Sequence, residues 1–374
     1  MEVLNNIKQS ALLNLKNIPG WKTKRKLVVF VVDDYGNVRV DSKKARENMD
    51  KAGLKIYSRF DANDALENRE DLLQLYDVLS SVKDKNGNHA VFSPMALPCN
   101  INFEKMAEES YSEYIYETLP ETFSKLEVMQ PEAYSGMMEL WNDGIRNKLL
   151  APQFHGREHL NLRILRENLA GKDKATLTAL KNRSYTSISQ PKYTAAFAYR
   201  DKEDTKGFSE IIRTGIQHFK EVYSYEPVFF TPPAQQFPAF LIPALTDFNI
   251  RMFDRPLLQK MNSGKGRLKR TINSTGKRRT NEPVTHVRNI VFEPTNNKGI
   301  DWTAFTLRQI EAAFRWNKPA VISSHRVNFS GHIDPENRKK GIASLKELLK
   351  KITNKWPDAE FISAGELCEL ILNR

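Results

Sequence analysis

The chain has 374 residues and a formal net charge of +12, with 57 Lys and Arg against 45 Asp and Glu. Hydrophobic residues make up 40% of it, which is enough for a large core and excludes an intrinsically disordered chain. Its two cysteines exclude a disulfide framework and a thiolate metal site. The excess of positive charge favours an anionic partner, with phosphate, nucleic acid, acidic glycan and membrane surface all open.

The amino-terminal segment lacks an apolar core of the length that a signal peptide needs. No stretch approaches the roughly 18 uncharged apolar residues of a membrane-spanning helix. We therefore expect a cytoplasmic protein without a transmembrane segment, and a peripheral membrane contact through basic patches stays open. Residues 1–26 are predicted to form a short helix and a basic connector.

The first strand is predicted at Val28–Gly36, where the sequence reads VVFVVDDYG. An uninterrupted apolar run rich in Val is typical of a strand buried on both faces in a parallel sheet. It leads directly into Asp33 and Asp34, whose carboxylates repel each other unless a cation or a catalytic proton compensates. A solvated acidic turn at the strand end is the alternative reading.

Strand and helix alternate about seven times after this point, which predicts a mostly parallel sheet, either open or closed into a barrel. Residues 27–374 are expected to form one domain with insertions near 100–130, 171–206 and 251–283, the first of them irregular. The predicted helices cover residues 42–52, 66–82, 132–149, 160–170, 208–223, 238–248, 302–316, 336–353 and 364–372. The predicted later strands lie within residues 86–94, 151–154, 227–231, 286–292, 320–323 and 360–362.

In such a sheet the ligand site lies at the carboxyl ends of the strands. Asp33, Asp34, His155, Thr231 and His325 all directly follow predicted strands. The sequence therefore predicts that these five residues converge on one rim.

The segment HGREH places His155 and His159 four residues apart. On a helical turn that spacing points both imidazoles the same way, so that they can share a metal ion. Two imidazoles and one carboxylate leave open coordination positions, as in catalytic divalent sites. A surface pair of histidines without a metal is the alternative.

The segment VISSHRVNF places His325 at the end of another apolar strand, and a histidine near a metal-bound water is a good general acid. A buried histidine bonded to the backbone is the alternative. Arg326 and Asn328 follow closely, and we predict that they contact a hydroxyl-rich or anionic substrate.

The ordered set of motifs resembles the polysaccharide deacetylases, the family-four carbohydrate esterases of the glycoside hydrolase/deacetylase superfamily. The resemblance spans residues 27 to about 365, and it rests on strand-Asp-Asp, His-x-x-x-His, FTPPAQQ from Phe230, Asp301-Trp302 and the final strand-x-x-His. It implies a distorted (β/α)7 barrel with large loop insertions. It also implies a metal-dependent hydrolase that removes acetyl groups from sugars.

Carried over by residue, the resemblance makes Asp33 the general base and His325 the general acid, with Asp301 orienting that acid. It makes Asp34, His155 and His159 the ligands of a divalent metal, with Zn expected and Co, Ni or Mn as alternatives. The predicted substrate-binding residues are Thr231, Pro233, Ala234, Trp302, Arg326 and Asn328.

The FTPPAQQ segment departs from the family's Arg-Pro-Pro-Tyr pattern in two places. Thr231 replaces the Arg that orients the base, which removes a cation beside Asp33. Ala234 replaces a Tyr whose backbone amide helps to hold the oxyanion, and the backbone donor survives that change.

The expected substrate is an acetylated glycan or glycan precursor, and an anionic one stays open. The run GKGRLKRTINSTGKRR, residues 264–279, could grip such a substrate, whereas a solvated loop is the alternative. Nucleic acid is not expected, because no recognised binding module accompanies the charge.

Two other functions compete with the deacetylase. The loss of Arg at position 231 favours a non-catalytic carbohydrate- or phosphate-binding relative on the same barrel. A glycosidase would need a second carboxylate about 5–10 Å from the first, and no residue beyond the Asp pair is a candidate.

Overall fold

A computed structural model describes residues 11–55, 58–186, 194–262 and 268–373. Strand β1 (Lys26–Tyr35) lies at its centre, and every residue of this strand after Lys26 is buried. It pairs in parallel with β2 (Phe92–Ala96), β12 (Ala320–His325) and β13 (Ala359–Phe361). The prediction of a strand buried on both faces is confirmed.

Among the described residues, nine strands form the main sheet, and all the pairs between them are parallel. The hydrogen-bonded order is β10-β7-β6-β5-β2-β1-β12-β11, with β13 beside β1. The remaining members are β5 (Gln153–Phe154), β6 (Phe229–Phe230), β7 (Met252–Asp254), β10 (Val284–His286) and β11 (Ile290–Val291). Two antiparallel hairpins, β3 (Cys99–Ile101) with β4 (Tyr116–Thr118) and β8 (Leu258–Asn262) with β9 (Leu268–Ile272), lie outside it.

Helices lie between most consecutive strands of the sheet, because parallel strands need long connections. Short 3-10 turns join β6 to β7, and the β8–β9 hairpin lies between β7 and β10. Several helices begin at a side-chain cap that the sequence displays, such as Ser42, Asn68 and Ser363. Their bounds are α1 (Lys43–Lys51), α2 (Arg59–Asn63), α3 (Arg69–Ser80), α4 (Phe103–Glu108), α5 (Leu119–Met129), α6 (Pro131–Tyr134), α7 (Met137–Arg146), α8 (Leu162–Ala170), α9 (Lys174–Lys181), α10 (Phe208–Tyr223), α11 (Trp302–Arg315), α12 (Pro335–Lys355) and α13 (Ala364–Leu372).

Alternate residues of β1 belong to two separate hydrophobic clusters. Val28, Phe30 and Val32 join the large cluster that includes helix residues such as Leu345 of α12. Leu27, Val29 and Val31 meet side chains from the other strands, such as Met95, Phe229, Met252, Val284 and Val321, and α13 adds Leu367 and Cys368. The second cluster is therefore the interior of a distorted barrel, and the first packs the helices on its outside.

Three predictions about elements are wrong. Residues 100–130 are not irregular but contain the β3–β4 hairpin and two helices, which are initiated by Asn102 and by the Thr118–Glu121 capping box. The predicted helix over 132–149 is interrupted at Gly136, which has a φ of 66°. The predicted helix over 238–248 consists of short 3-10 turns.

Strand β7 lies in the stretch 251–283 that the sequence suggested was an insertion, yet it pairs with β6 and β10 in the main sheet. The first ten residues of the predicted amino-terminal helix lie outside the described residues, and the domain division stays a prediction. Within the described ranges, no helix combines the length and the apolar character that a bilayer crossing requires.

Candidate active site

A cavity of about 380 Å³ opens at the carboxyl ends of the strands. Strand β1 contributes Asp33 and Asp34 to it, the loop after β5 contributes His155 and His159, and β12 contributes His325. The other lining residues are Arg39, Phe60, Pro232, Ala234, Gln235, Arg288 and Ser323. The structure thus brings together four of the five residues predicted to converge, and the fifth, Thr231, is buried behind them.

The two aspartates of β1 face different partners because the strand twists where they lie. Asp34 has a φ of 77°, in the left-handed region that few residues other than Gly, Asn and Asp adopt. The register between β1 and β2 shifts between Val32 and Tyr35. Asp34 therefore reaches the two histidines, while Asp33 lies opposite His325 in the β1–β12 pairing.

Asp34, His155 and His159 form a compact triad of potential metal ligands. The Asp34 Oδ1 atom lies 3.5 Å from His155 Nε2 and 3.4 Å from His159 Nε2, and one ligand atom of each residue lies within 4.8 Å of the others. Because the Thr231 carbonyl 2.7 Å away can only accept, His155 Nδ1 donates to it and Nε2 is left with its lone pair. That buried Nε2 has no hydrogen-bond partner among the described residues, so the donor set fits a divalent cation.

The ionisation of the triad also fits a metal site. Burial lowers the pKa of His159 to about 4, which keeps its imidazole neutral. Burial by itself would raise the pKa of Asp34, but the imidazoles around its carboxylate, His325 among them, hold that pKa well below its usual range. One carboxylate and neutral imidazoles are the protonation states that bind divalent metals.

The two histidines do not lie on a helix, which corrects the expected local geometry. Residues 155–161 are irregular, and Gly156 has a φ of 114°. Backbone hydrogen bonds tie this loop to its neighbours, from His155 N to Ala96 O at 3.1 Å and from Cys99 N to Arg157 O at 3.1 Å. The imidazoles meet because the loop is fixed by these contacts and not because of helical spacing.

A cation does lie beside Asp33, although the sequence predicted that it had been lost with Thr231. Arg288 Nη1 donates to Asp33 Oδ2 at 2.8 Å, and Arg288 Nε donates to Asp254 Oδ2 at 3.0 Å. Asp254 also accepts from His286, which is fully buried. Arg288 comes from the segment after β10, and it lay within the predicted strand 286–292, to which the sequence assigned no role.

His325 has Glu293 as its partner and not Asp301, which is a second correction. His325 Nδ1 lies 2.6 Å from Glu293 Oε1, and Asn328 and Arg59 also contact this carboxylate. Burial disfavours the imidazolium, but Glu293 and Asp33 raise the pKa of His325 to about 9. At neutral pH His325 is therefore protonated, with Nε2 on the side of Asp33, 3.8 Å from Oδ2.

Asp301 and Trp302 lie at the start of α11 and line neither the cavity nor its wall. The Asp301 side chain caps the helix by accepting from Ala304 N at 2.9 Å. The Trp302 indole donates to the Asn296 carbonyl at 3.1 Å. An Asp before a helix is a common cap, and this local role explains why the pair mimics a functional motif.

Two other predicted substrate contacts are structural instead. Arg326 is 1% exposed and is ion-paired with Asp64 and Glu67, each at 2.9 Å, because a buried guanidinium needs compensating carboxylates. Asn328 is fully buried and braces Glu293. Pro233 is buried near Gly156, whereas Ala234 lines the cavity with a left-handed φ of 53°.

The basic run over residues 264–279 lies partly outside the described residues, which resume at 268. Of its last three cations, Arg278 donates to the carbonyls of Ile371 and Leu372, and Arg279 bonds to Asn273 and Glu282. These contacts favour a structural role for the two arginines over substrate binding.

The fold is similar to that of a Parabacteroides distasonis protein assigned as a glycoside hydrolase/deacetylase, with a TM-score of 0.50, 9% identity, and coverage of 93% of this chain and 72% of that one. A Mycobacterium smegmatis protein assigned as a polysaccharide deacetylase matches with a TM-score of 0.45, 13% identity and coverage of 94% and 92%. A Pseudomonas aeruginosa PAO1 protein assigned in the same way matches with a TM-score of 0.44, 10% identity, and coverage of 92% of this chain and 91% of that one. The Parabacteroides match confirms the predicted fold class, a distorted barrel of the polysaccharide-deacetylase type.

No protein-family model matches the sequence, and no curated protein matches it. The likeness therefore concerns the fold, and the chemistry has to be argued from the site.

Proposed function

We propose that this protein is a metal-dependent hydrolase that removes an acetyl group from a polysaccharide or glycan precursor. One observation carries the proposal: the Asp34–His155–His159 triad shares a cavity with a paired carboxylate, Asp33, and a protonated imidazole, His325. A base and an acid beside a cation site provide the groups that acyl hydrolysis needs.

Asp34, His155 and His159 would hold the metal, with zinc expected for a site of two imidazoles and one carboxylate. When bound, the ion would polarise the acetyl carbonyl and lower the pKa of a water molecule. Asp33 accepts the proton of the attacking water, and Arg288 orients that carboxylate through its hydrogen bond to Oδ2. The Ala234 backbone N–H donates to the developing oxyanion.

His325 completes the reaction by donating its Nε2 proton to the departing nitrogen or oxygen of the sugar. Glu293 keeps it charged for this step by bonding Nδ1. The new bond joins the water oxygen to the acetyl carbon, and the bond from that carbon to the sugar breaks. The products are acetate and a free amine or hydroxyl group.

The non-catalytic alternative was favoured by the missing cation at position 231. Arg288 supplies a cation to Asp33 from the segment after β10, so that argument no longer distinguishes a binding module from an enzyme. The deacetylase is the better-supported function.

The experiment is to replace His155 with Ala and to measure both bound metal and acetate release from acetylated oligosaccharides. We expect the purified wild type to hold about one divalent ion per chain and the variant to lose both the ion and the activity. His218→Ala is the matched control, because His218 pairs with Glu221 on α10 away from the cavity. Undiminished activity of His155→Ala would refute the assignment.

A further inference from the structure

A cavity of about 630 Å³ opens at the amino ends of β1, β2 and β5, at the opposite end of the barrel from the candidate active site. Three segments enclose it: the turn before β2, the connection from α7 to β5, and the chain from β13 to the start of α13. Among the described residues, none lines both cavities. The volume is that of a small-molecule site, so a ligand fits there without contact with the metal triad.

One buried side chain in this amino-end cavity has hydrogen-bond donors without a partner. Gln153 is 4% exposed, and its Oε1 accepts from the backbone N–H groups of Val228 and Phe229, each at 3.0 Å. These two bonds fix the orientation of the amide, because the reversed orientation would set donors against donors. Over the part of the chain that the structure describes, Gln153 Nε2 bonds to no acceptor, and the residue lines the cavity. An oxygen atom that enters the cavity would therefore satisfy Nε2.

The charged side chains around the amino-end cavity leave one cation without a carboxylate. Glu360 forms ion pairs with both Arg25 and Lys85. Glu366 is engaged in the capping box of α13. Lys148 lines the cavity from an exposed position and forms no ion pair with any described residue. Three cations thus face two carboxylates, which favours a ligand with negative charge.

Apolar side chains also line the amino-end cavity. They belong to Val91, Ile145, Leu150, Phe361 and Ile362. Small-molecule sites typically combine such a wall with a few placed polar groups. A ligand with an apolar body covers this wall, whereas an inorganic ion makes only the polar contacts.

We propose that the amino-end cavity binds a small organic anion. A carboxylate or phosphate group of that anion accepts from Gln153 Nε2 and pairs with Lys148, and its apolar body packs on the wall that includes Leu150 and Phe361. The site is separate from the proposed deacetylation and does not depend on it.

The test is calorimetric titration of the full chain with two probe anions, benzoate and phenyl phosphate, which distinguish a carboxylate from a phosphate. Two further probes separate the contributions of charge and apolar body. Benzamide has the ring without the negative charge, and inorganic phosphate has the charge without the ring.

Two variants locate the bound anion. Lys148→Gln removes the unpaired cation, and Gln153→Glu keeps an acceptor for Val228 and Phe229 but replaces the free donor with a second carboxylate oxygen. Lys172→Gln is the matched control, because Lys172 is also an exposed lysine with a left-handed φ, 50° against 56° for Lys148, and lines neither cavity. Thermal unfolding checks that all three variants are folded.

We expect one of the two probe anions to bind the wild type more tightly than benzamide or inorganic phosphate does. Its affinity should fall about threefold or more in Lys148→Gln, which loses an ion pair at the rim. It should fall about tenfold or more in Gln153→Glu, where a like charge faces the anion, and stay unchanged in Lys172→Gln.

A wild type that binds neither probe anion overturns the site. Binding that both cavity variants leave unchanged also overturns it, because the anion then lies elsewhere. Benzamide that binds as tightly as benzoate and phenyl phosphate contradicts the requirement for negative charge. If Gln153→Glu does not fold, Lys148→Gln and its control decide the question.

Discussion

The carboxylate of Glu293 contributes most to keeping charged the residue expected to protonate the leaving group. Because the pKa of His325 is raised from 6.5 to about 9, the imidazole stays protonated through neutral pH. The pair therefore stabilises the folded protein fully below the ordinary histidine pKa, and this contribution is lost as the pH rises through about 9.

Replacing Glu293 with Gln removes that carboxylate and leaves Arg59 near the ring. We expect the pKa of His325 to fall and the alkaline limb of the pH profile of kcat/KM to move to lower pH. The measurement is kcat/KM for acetate release between pH 5 and pH 10, because the pH dependence of kcat/KM reports the ionisations of the free enzyme. On the alkaline limb, kcat/KM should fall about tenfold per pH unit.

Asp301→Asn is the informative comparison for this prediction. Asp301 caps α11 instead of contacting His325, so the pH profile of this variant should keep its alkaline limb. Asn caps a helix about as well as Asp, so the variant should also keep its stability. A shifted limb for Asp301→Asn with an unshifted one for Glu293→Gln would reverse the two assignments.

At the scale of single residues, the sequence identifies the candidate functional residues that directly follow a buried strand. It does not identify the residues that pair with them. Asp33, Asp34 and His325 were identified because apolar strands lead into them. Arg288 and Glu293 were missed because their role depends on which strands become neighbours, and the pairs they form join residues 255 and 32 positions apart.

Among the elements, α12 is the one whose position most directly affects the site, since it packs on the turn that follows β12. A Cβ atom added at Gly341 would lie 1.7 Å from the Asn328 carbonyl oxygen. Asn328 in turn braces Glu293, so the close approach of helix and turn sets the position of the acid's partner.

Gly341→Ala should therefore destabilise the protein by about 1–3 kcal/mol through overpacking, measured by urea unfolding. Gly365→Ala is the control, because Gly365 also lies in a helix and its added Cβ would meet only ordinary contacts of 3.4 Å or more. The control should change stability by less than about 1 kcal/mol. Equal stabilities of the two variants would contradict the proposed packing constraint.

Elements with a sustained apolar period were predictable, such as α10 and α13, whose bounds match the predicted ranges 208–223 and 364–372. Short elements were not, because α4, β3 and β4 have three to six residues each and show no period. Strand β7 was missed for the same reason, although it completes the sheet between β6 and β10.

For the molecule as a whole, the alternation of strands and helices predicted the parallel sheet, but it could not give the order of the strands. That order brings residues from the first, middle and last thirds of the chain into one cavity. A cation bound there connects β1 with the loop after β5, so it should stabilise the entire fold.

We expect zinc at 100 times its dissociation constant to stabilise the folded wild type by about 2.7 kcal/mol, and EDTA to reverse this. The measurement is the thermal midpoint with and without each reagent, in the absence of any substrate. His155→Ala should show no zinc-dependent rise, and an equal rise in that variant would place the ion elsewhere.

The contact between Arg288 and Asp33 has a consequence for how related chains can vary. Two guanidinium groups beside one aspartate would repel each other, and an aspartate with neither would lose its counter-charge. Among homologous sequences, arginine should accordingly alternate between positions 231 and 288, with lineages carrying it at one or the other. A sequence motif that requires arginine at position 231 would fail to match every lineage that carries it at position 288.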